Sequence, residues 1–384
     1  MEKGDYIVFA DHKFAGEADR ELQRLFPTAY KGERAGEHDQ FFMARIEGDR
    51  NKILSAIKAG KLSFVDAAIP IDAVLDRTEK DYENVIEAMR RLLDKRRTFK
   101  IEVKRMNSGL CERAKSIEVK IGSALEAEGF RADLRSPEMI AYAILLNDKS
   151  IIGTIGKDQT ENYVLDRFRS GQKETTCKVN RAEFKLEEAI EFFDVDLSKV
   201  GRALDIGASP GGWTHHLVTC GIKVVAVDNA LLDYGRICQA GNVLVLAGRE
   251  ELSSVGTALK DRGVALADIN DAGTELDSYS VIHIKTNSRH IEEGLLDRLG
   301  RFDLLTIDTN TAAADSAEIA DSLAGTLNPD AHLIMTIKLF SSNIGKQIAS
   351  AESGLSKSYD TLGIKKLPHN RDELTLHARK REIR

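Results

Sequence analysis

Two groups of residues in this 384-residue chain have the types and spacing to do chemistry. The first is Ala203-Leu204-Asp205-Ile206-Gly207-Ala208-Ser209-Pro210-Gly211-Gly212-Trp213, followed by Asp228 at the end of the apolar run Val224-Val225-Ala226-Val227. Leu204 and Ile206 read as the end of a buried strand. Gly207 permits a sharp turn, Pro210 stiffens the loop, and Gly211-Gly212 would let a ligand approach bare backbone. A helix is expected from Trp213, and its first amides are free donors suited to a carboxylate or phosphate. Asp228 is placed to accept hydrogen bonds from ribose hydroxyls.

A glycine loop with a ribose acid suits a nicotinamide dehydrogenase, but Gly207 to Gly212 does not spell G-x-G-x-x-G, and no GK[ST] follows to make a P-loop. The pattern D-x-G-x-x-P-G-G-W suits S-adenosylmethionine better, with backbone and Asp205 for the methionine end and Asp228 for the ribose.

The second group is Lys185, Asp308, Lys338 and Glu373. Taken singly, each reads as a surface charge or half of a structural ion pair. Lys185 lies at the edge of an amphipathic helix, Asp308 and Lys338 end apolar strands, and Glu373 opens the last one. Two lysines and two carboxylates converging over one sheet edge are costly unless mutually paired, which marks them as a functional candidate.

The elements that must carry these residues form a doubly wound α/β sheet. Apolar runs at 203–206, 224–227, 281–284, 304–307 and 333–337 alternate with helical patterns. The stretch 233–280 exceeds a simple crossover and is read as an insertion with a helix near Leu252 to Arg262. Ahead of this lie two smaller α+β patterns. In 1–75, strands are expected at 6–10, 41–46 and 64–71, with helices at 16–26 and 50–59. In 76–165, helices at 81–95 and 116–128 flank a strand at 99–105, and strands at 139–146 and 151–155 follow.

Composition narrows the class. Hydrophobic residues make up 42% and charged residues 30%, as in a folded globular chain. The net charge of −6 argues against a global nucleic-acid-coating field. A basic stretch between Arg91 and Lys120 remains, and Arg96, Arg97, Lys100, Lys104, Arg105, Lys115 and Lys120 are its RNA-contact candidates. The cysteines at 111, 177, 220 and 238 have no metal-type spacing, so no zinc is expected. Neither a signal-peptide pattern nor an eighteen-residue apolar run occurs, and a cytoplasmic monomer is expected.

Residues 76–160 resemble a THUMP domain, through the basic strand Phe99 to Arg105, the helix 116–128 leading into Gly129-Phe130-Arg131-Ala132-Asp133-Leu134, and Ser136-Pro137-Glu138. Residues 1–75 resemble the ferredoxin-like domain that precedes it in many such proteins. The resemblance implies an RNA-binding module. Residues 181–384 resemble the FtsJ-type RNA 2'-O-ribose methyltransferases, and the whole arrangement resembles their THUMP-bearing members.

That resemblance implies a Lys-Asp-Lys-Glu catalytic tetrad at Lys185, Asp308, Lys338 and Glu373. It also implies an S-adenosylmethionine site at Asp205, Gly207, Ser209, Pro210, Gly211, Gly212, Trp213 and Asp228. An acid that contacts adenine in the family is missing after the third strand, and Asn287 is the residue offered in its place. Lys338 is expected as general base, its pKa lowered by burial and by Lys185. Base methylation of RNA is the second reading, but Asp308-Thr309-Asn310-Thr311 lacks its prolines and aromatic residue. A non-catalytic RNA-binding protein is the third. The implied RNA is a tRNA or rRNA, with tRNA favoured by the paired N-terminal domains.

Overall fold

The computed structural model describes residues 3–10, 12–27, 30–38, 41–76, 82–105, 112–156, 179–260, 262–270, 274–291, 293–340 and 343–382. The chain divides into two compact units, Met1–Arg167 and Phe168–Arg384.

The first unit holds two sheets. Strands β1 (Lys3–Ala10), β2 (Tyr30–His38), β3 (Phe41–Asp49) and β4 (Val65–Pro70) pair in the order β2-β3-β1-β4, with helices α1 (Ala15–Leu25) and α2 (Arg50–Lys58). Strand β2 is absent from the sequence reading because Tyr30-Lys31-Gly32-Glu33-Arg34-Ala35-Gly36-Glu37-His38 has no apolar alternation. It lies at the edge of its sheet.

The second sheet has the order β5-β9-β8-β6-β7, from β5 (Ala73–Asp76), β6 (Thr98–Arg105), β7 (Arg131–Ala132), β8 (Met139–Leu145) and β9 (Lys149–Gly156). Helices α3 (Glu83–Leu92) and α4 (Ala114–Ala127) cover one face of it. Helix α4 buries Ile117, Ile121 and Leu125 at four-residue spacing, which lines up one stripe against Phe99, Ile101 and Val103 of β6. On the other face, Ile140, Tyr142, Ile144, Ile151 and Ile155 pack with Ile7, Phe9 and Ile69. Burying both faces of β8 explains its unbroken apolar run.

The second unit is built on nine strands. They are β10 (Arg202–Ile206), β11 (Lys223–Val227), β12 (Val243–Ala247), β13 (Ala265–Asp268), β14 (Val281–Ile284), β15 (Phe302–Ile307), β16 (Leu327–Lys338), β17 (Tyr359–Lys365) and β18 (Glu373–Lys380). Their order is β13-β12-β14-β11-β10-β15-β16-β18-β17, parallel through β16 and antiparallel in β16-β18-β17. This is the expected doubly wound sheet, with its reversal of winding at β10 and β15.

The 233–280 segment is more than the one-helix insertion expected. It comprises α7 (Tyr234–Ala240), β12, α8 (Arg249–Lys260) and β13, and its two strands extend the sheet beyond β14. Among the described residues, the remaining helices of this unit are α5 (Ala182–Phe192), α6 (Gly212–Thr219), α9 (Glu293–Leu299), α10 (Ala313–Leu323) and α11 (Ile344–Leu355). Among the described residues, no helix is long and apolar enough to cross a membrane.

Candidate active site

Strand register brings three of the four candidate catalytic residues together. Lys338 ends β16 directly opposite Glu373, the first residue of antiparallel β18. The parallel pairing of Ile307 with Met335 sets Asp308, one residue on, beside Thr336. Thr336 and Lys338 are two apart and therefore share a face. Lys185 arrives from α5, whose start is tied to α6 by Trp213 Nε1 donating to the Ala182 carbonyl (2.8 Å) and by the buried His215–Glu183 contact (3.0 Å). Glu188 holds the same helix to the 369 loop by accepting from the His369 N–H (2.9 Å) and its ring Nδ1.

The result is one closed cluster. Lys338 Nζ donates to Asp308 Oδ1 at 2.8 Å and to Glu373 Oε2. Lys185 Nζ lies 2.5 Å from Glu373 Oε1 and 3.4 Å from Asp308 Oδ2. Thr336 Oγ1 adds a hydrogen bond to Asp308 Oδ1 (2.9 Å). Each carboxylate thus touches both ammonium groups, and all four side chains are largely buried.

Burial is the strongest influence on Asp308 and works to raise its pKa. The fields of Lys338 and Lys185 and the hydrogen bonds from Lys338 and Thr336 outweigh it, holding the carboxyl below its ordinary value. Lys338 departs from expectation. Burial works to strip its proton, but the field of Asp308 and the bonds to Asp308 and Glu373 prevail, so its pKa is raised rather than lowered. The neighbouring Lys185 does not reverse this, because it shares both carboxylates instead of facing Lys338 alone.

The glycine turn abuts this cluster. Gly207 (φ +74°) has no room for a side chain, since a Cβ would lie 2.9 Å from the Asp308 carbonyl oxygen. A Cβ on Gly211 (φ +109°) would lie 2.5 Å from Ile237 of α7, and one on Gly212 would strike Asn180. The glycines are therefore required by close packing of protein on protein, a reason the sequence reading did not foresee. Helix α6 starts at Gly212, one residue before the expected Trp213.

Asp205 also differs from expectation. Only 1% exposed, it accepts hydrogen bonds from Thr214 Oγ1 (2.7 Å) and Thr306 Oγ1 (2.8 Å), and burial pushes its pKa up to about 7. Its carboxyl ties β10 to α6 and β15 and is not presented to a ligand. Asn287 uses its side-chain oxygen to accept from the Arg289 N–H (3.0 Å), capping a short 3-10 turn at 288–290.

Asp228, by contrast, is partly open at the end of β11. The Ser209 N–H donates to Oδ2 (3.0 Å) and the Ala230 N–H to Oδ1 (2.8 Å), which fixes the carboxylate and leaves lone pairs for further donors. Behind it sits a buried pair that the sequence reading missed. His283 Nε2 lies 3.1 Å from the Asp228 carbonyl oxygen, which can only accept, so Nε2 carries the proton and Nδ1 accepts from Tyr234 Oη (2.6 Å). Burial pushes His283 down to about 4, so the ring is neutral. The Asp233 N–H closes the circuit by donating to the Pro210 carbonyl (2.8 Å). Its only sequence signal was a histidine inside the apolar run Val281-Ile282-His283-Ile284.

The structure places the candidate RNA residues unevenly. Lys100 and Lys104 flank the buried Glu102 on β6 and are paired with it at 2.6 and 3.3 Å. Arg97 donates to the Glu138 carbonyl (2.8 Å), and Arg105 ends β6 half-buried. Arg96, Lys115 and Lys120 are well exposed, although each has an acidic neighbour in Asp94, Glu118 and Glu112. Cys111 and Cys177 lie outside the described residues; Cys220 and Cys238, which are described, are free thiols.

Residues 178–312 match the family described as FtsJ-like methyltransferase. This stretch, about a third of the chain, is similar to FtsJ-like methyltransferases. It contains Lys185, the glycine turn, Asp228 and Asp308. Curated relatives share the printed name Ribosomal RNA large subunit methyltransferase M. That of Aeromonas salmonicida (strain A449) is 44% identical over 69 residues, 15% of this chain and 19% of the relative. That of Shewanella sediminis (strain HAW-EB3) is 24% identical over 208 residues, 51% of this chain and 57% of the relative. The match thus spans from about a fifth to just over half of these relatives' length. Among solved structures, TrmN from Thermus thermophilus aligns with 98% of this chain and 99% of its own, at 14% identity and a TM-score of 0.37.

Proposed function

We propose that this protein transfers a methyl group from S-adenosylmethionine to a ribose 2'-hydroxyl of RNA. The observation that carries the reading is the closed Lys185–Asp308–Lys338–Glu373 cluster lying against the glycine turn of an FtsJ-like domain. The names of the curated relatives weigh toward large-subunit rRNA over the tRNA expected from the domain pairing.

The residues present fit the donor. Asp228, held by two backbone amides with spare acceptor capacity, suits a ribose diol, and the first amides of α6 suit a carboxylate. The donor supplies an activated methyl on a sulfonium. This chain's part is to align the hydroxyl and take its proton. Lys338 is cationic in the ligand-free cluster, so it acts as base only after part of its carboxylate field is withdrawn. Lys185 already touches both carboxylates and is placed to take that share, while Thr336 keeps Asp308 oriented.

Residues 76–165 are proposed as the THUMP-type RNA-binding module after the 1–75 domain, with 166–384 as the methyltransferase. Arg96, Lys115 and Lys120 are the most accessible of its candidate RNA contacts. The test is mass-spectrometric mapping of 2'-O-methyl nucleosides in rRNA and tRNA from a strain lacking the gene. Loss of one ribose methyl from large-subunit rRNA is expected, and its restoration in vitro by the purified protein. A missing methyl on a base would overturn the chemistry, and one missing only from tRNA would overturn the substrate.

A further inference from the structure

The mouth of the lysine–carboxylate cluster carries two side chains with no structural employment. Phe340 is 61% exposed, an unusual state for a phenylalanine, although its backbone is firmly held. The Leu339 N–H donates to the Asp372 carbonyl (2.9 Å), and the Phe340 N–H to Gln347 Oε1 of α11 (3.0 Å). The ring itself stacks on no aromatic or cationic group among the described residues. Arg371 is also exposed, and its guanidinium has no partner among the described residues.

Chain order relates them. Lys338 faces Glu373 where β16 and β18 end, the Leu339–Asp372 bond holds the two chains together one residue beyond, and Phe340 and Arg371 are the next residue out on each side. Two residues of chain, at most about 7 Å, separate Phe340 from Lys338. Arg371 bears the same relation to Glu373. A hydroxyl delivered to Lys338 belongs to a nucleoside whose base hangs from the adjacent ring carbon, and whose phosphate leaves from the other side of the sugar. Phe340 and Arg371, two residues from Lys338 and Glu373, are within reach of these groups. A fixed aromatic face and a free guanidinium are the chemistry that grips a single-stranded nucleotide.

We propose that Phe340 and Arg371 form the acceptor-nucleotide clamp, Phe340 stacking on a base of the RNA and Arg371 pairing with a phosphate beside it. This rests on the RNA ribose reading. It adds two substrate-contacting residues, of which Phe340 follows the FtsJ-matched region by twenty-eight positions and Arg371 by fifty-nine.

The experiment uses the full chain with two probes, a labelled oligouridylate and an abasic ribose-phosphate oligomer of equal length, and with rRNA from the deletion strain as substrate. In the wild type the base-bearing oligomer binds more tightly. F340A is expected to abolish that preference and to lower kcat/KM for rRNA about 10-fold or more, whereas F340W keeps both. R371Q is expected to weaken both oligomers equally and to flatten the salt dependence by about one phosphate contact. S-adenosylmethionine affinity stays unchanged in all three variants.

Equal affinity of the wild type for the two oligomers, or an F340A that keeps the base preference, overturns the proposal. So does a loss of donor binding alongside RNA binding, which would mean a disturbed fold. Failure of the ribose reading is seen separately, as no methyl on ribose in the wild-type reaction, since the oligomer arms do not depend on turnover.

Discussion

Two aspartates end neighbouring parallel strands of one sheet, both are buried, and they ionise in opposite directions. Asp205 lies next to the last residue of β10 among hydroxyls and is pushed up to about 7, while Asp308 follows β15 between two lysines and is held below its ordinary value. Burial pushes both the same way, so the partners decide. Two threonine hydroxyls satisfy a carboxyl without stabilising its charge as an ammonium does. The first aspartate is a strut under the glycine turn, and the second is part of a charged cluster in which Lys338 is held cationic in turn.

The sharpest way to break this contrast is Lys338→Ala. Methyl transfer should fall about 10²–10⁴-fold, the usual worth of a positioned base, while S-adenosylmethionine affinity measured by calorimetry stays within about twofold. A mutant that still turns over would reduce the cluster to a structural ion-pair network.

Asp205→Asn tests the other side. The wild-type carboxyl keeps its proton in the fold up to about pH 7 but loses it near pH 4 when unfolded, so its contribution to stability declines as pH rises between these values. From pH 5 to 8 that decline is about 3 kcal/mol, and the asparagine variant should lack it. Urea melts at the two pH values measure this, and parallel pH trends in both proteins would contradict a raised Asp205.

Asp308→Asn should lower the pKa of Lys338, because the larger of the two fields holding its proton is removed. The rate of Lys338 acetylation by acetic anhydride, followed against pH, reads this without any need for activity. An unmoved midpoint would leave Glu373 alone responsible. The smallest effect is expected from Tyr234→Phe, which removes one hydrogen bond from the His283 circuit behind Asp228. Donor affinity should weaken about 2- to 10-fold with RNA affinity unchanged, and equal donor binding in both proteins would show that the circuit merely fills space.

The sheet was legible because its central strands are short apolar runs bounded by polar residues, and Asp308 and Lys338 could be placed at strand ends for the same reason. Val243-Leu244-Val245-Leu246-Ala247 carries the same signal, yet it was absorbed into a supposed insertion because crossover length was allowed to outweigh composition. The half-exposed β13 and the polar edge strand β2 offered little pattern to find. What could not be read was charge balance. Nothing local to Lys338 tells that two carboxylates, thirty residues upstream and thirty-five downstream, would both reach its amine. Nor does the sequence around Asp205 tell that its neighbours would be hydroxyls. The basic strand shows the same limit, since Lys100 and Lys104 belong to a face where Glu102 claims them.

The pairing of Lys338 with Glu373 across β16 and β18 separates two kinds of evolutionary freedom. Most of the thirty-four residues between them, including α11, are free to lengthen or shorten without moving either charge, provided the two strands still meet in step and the residues flanking their ends, among them Phe340, His369 and Arg371, are kept. A slip of one residue in β18, however, turns Glu373 to the opposite face and brings Asp372 or the buried Leu374 across from the amine. In descendants of this chain the partner of Lys338 is therefore to be sought by ladder position, counted back from the lysine through the sheet, because linear spacing is what drift in the intervening segment erases.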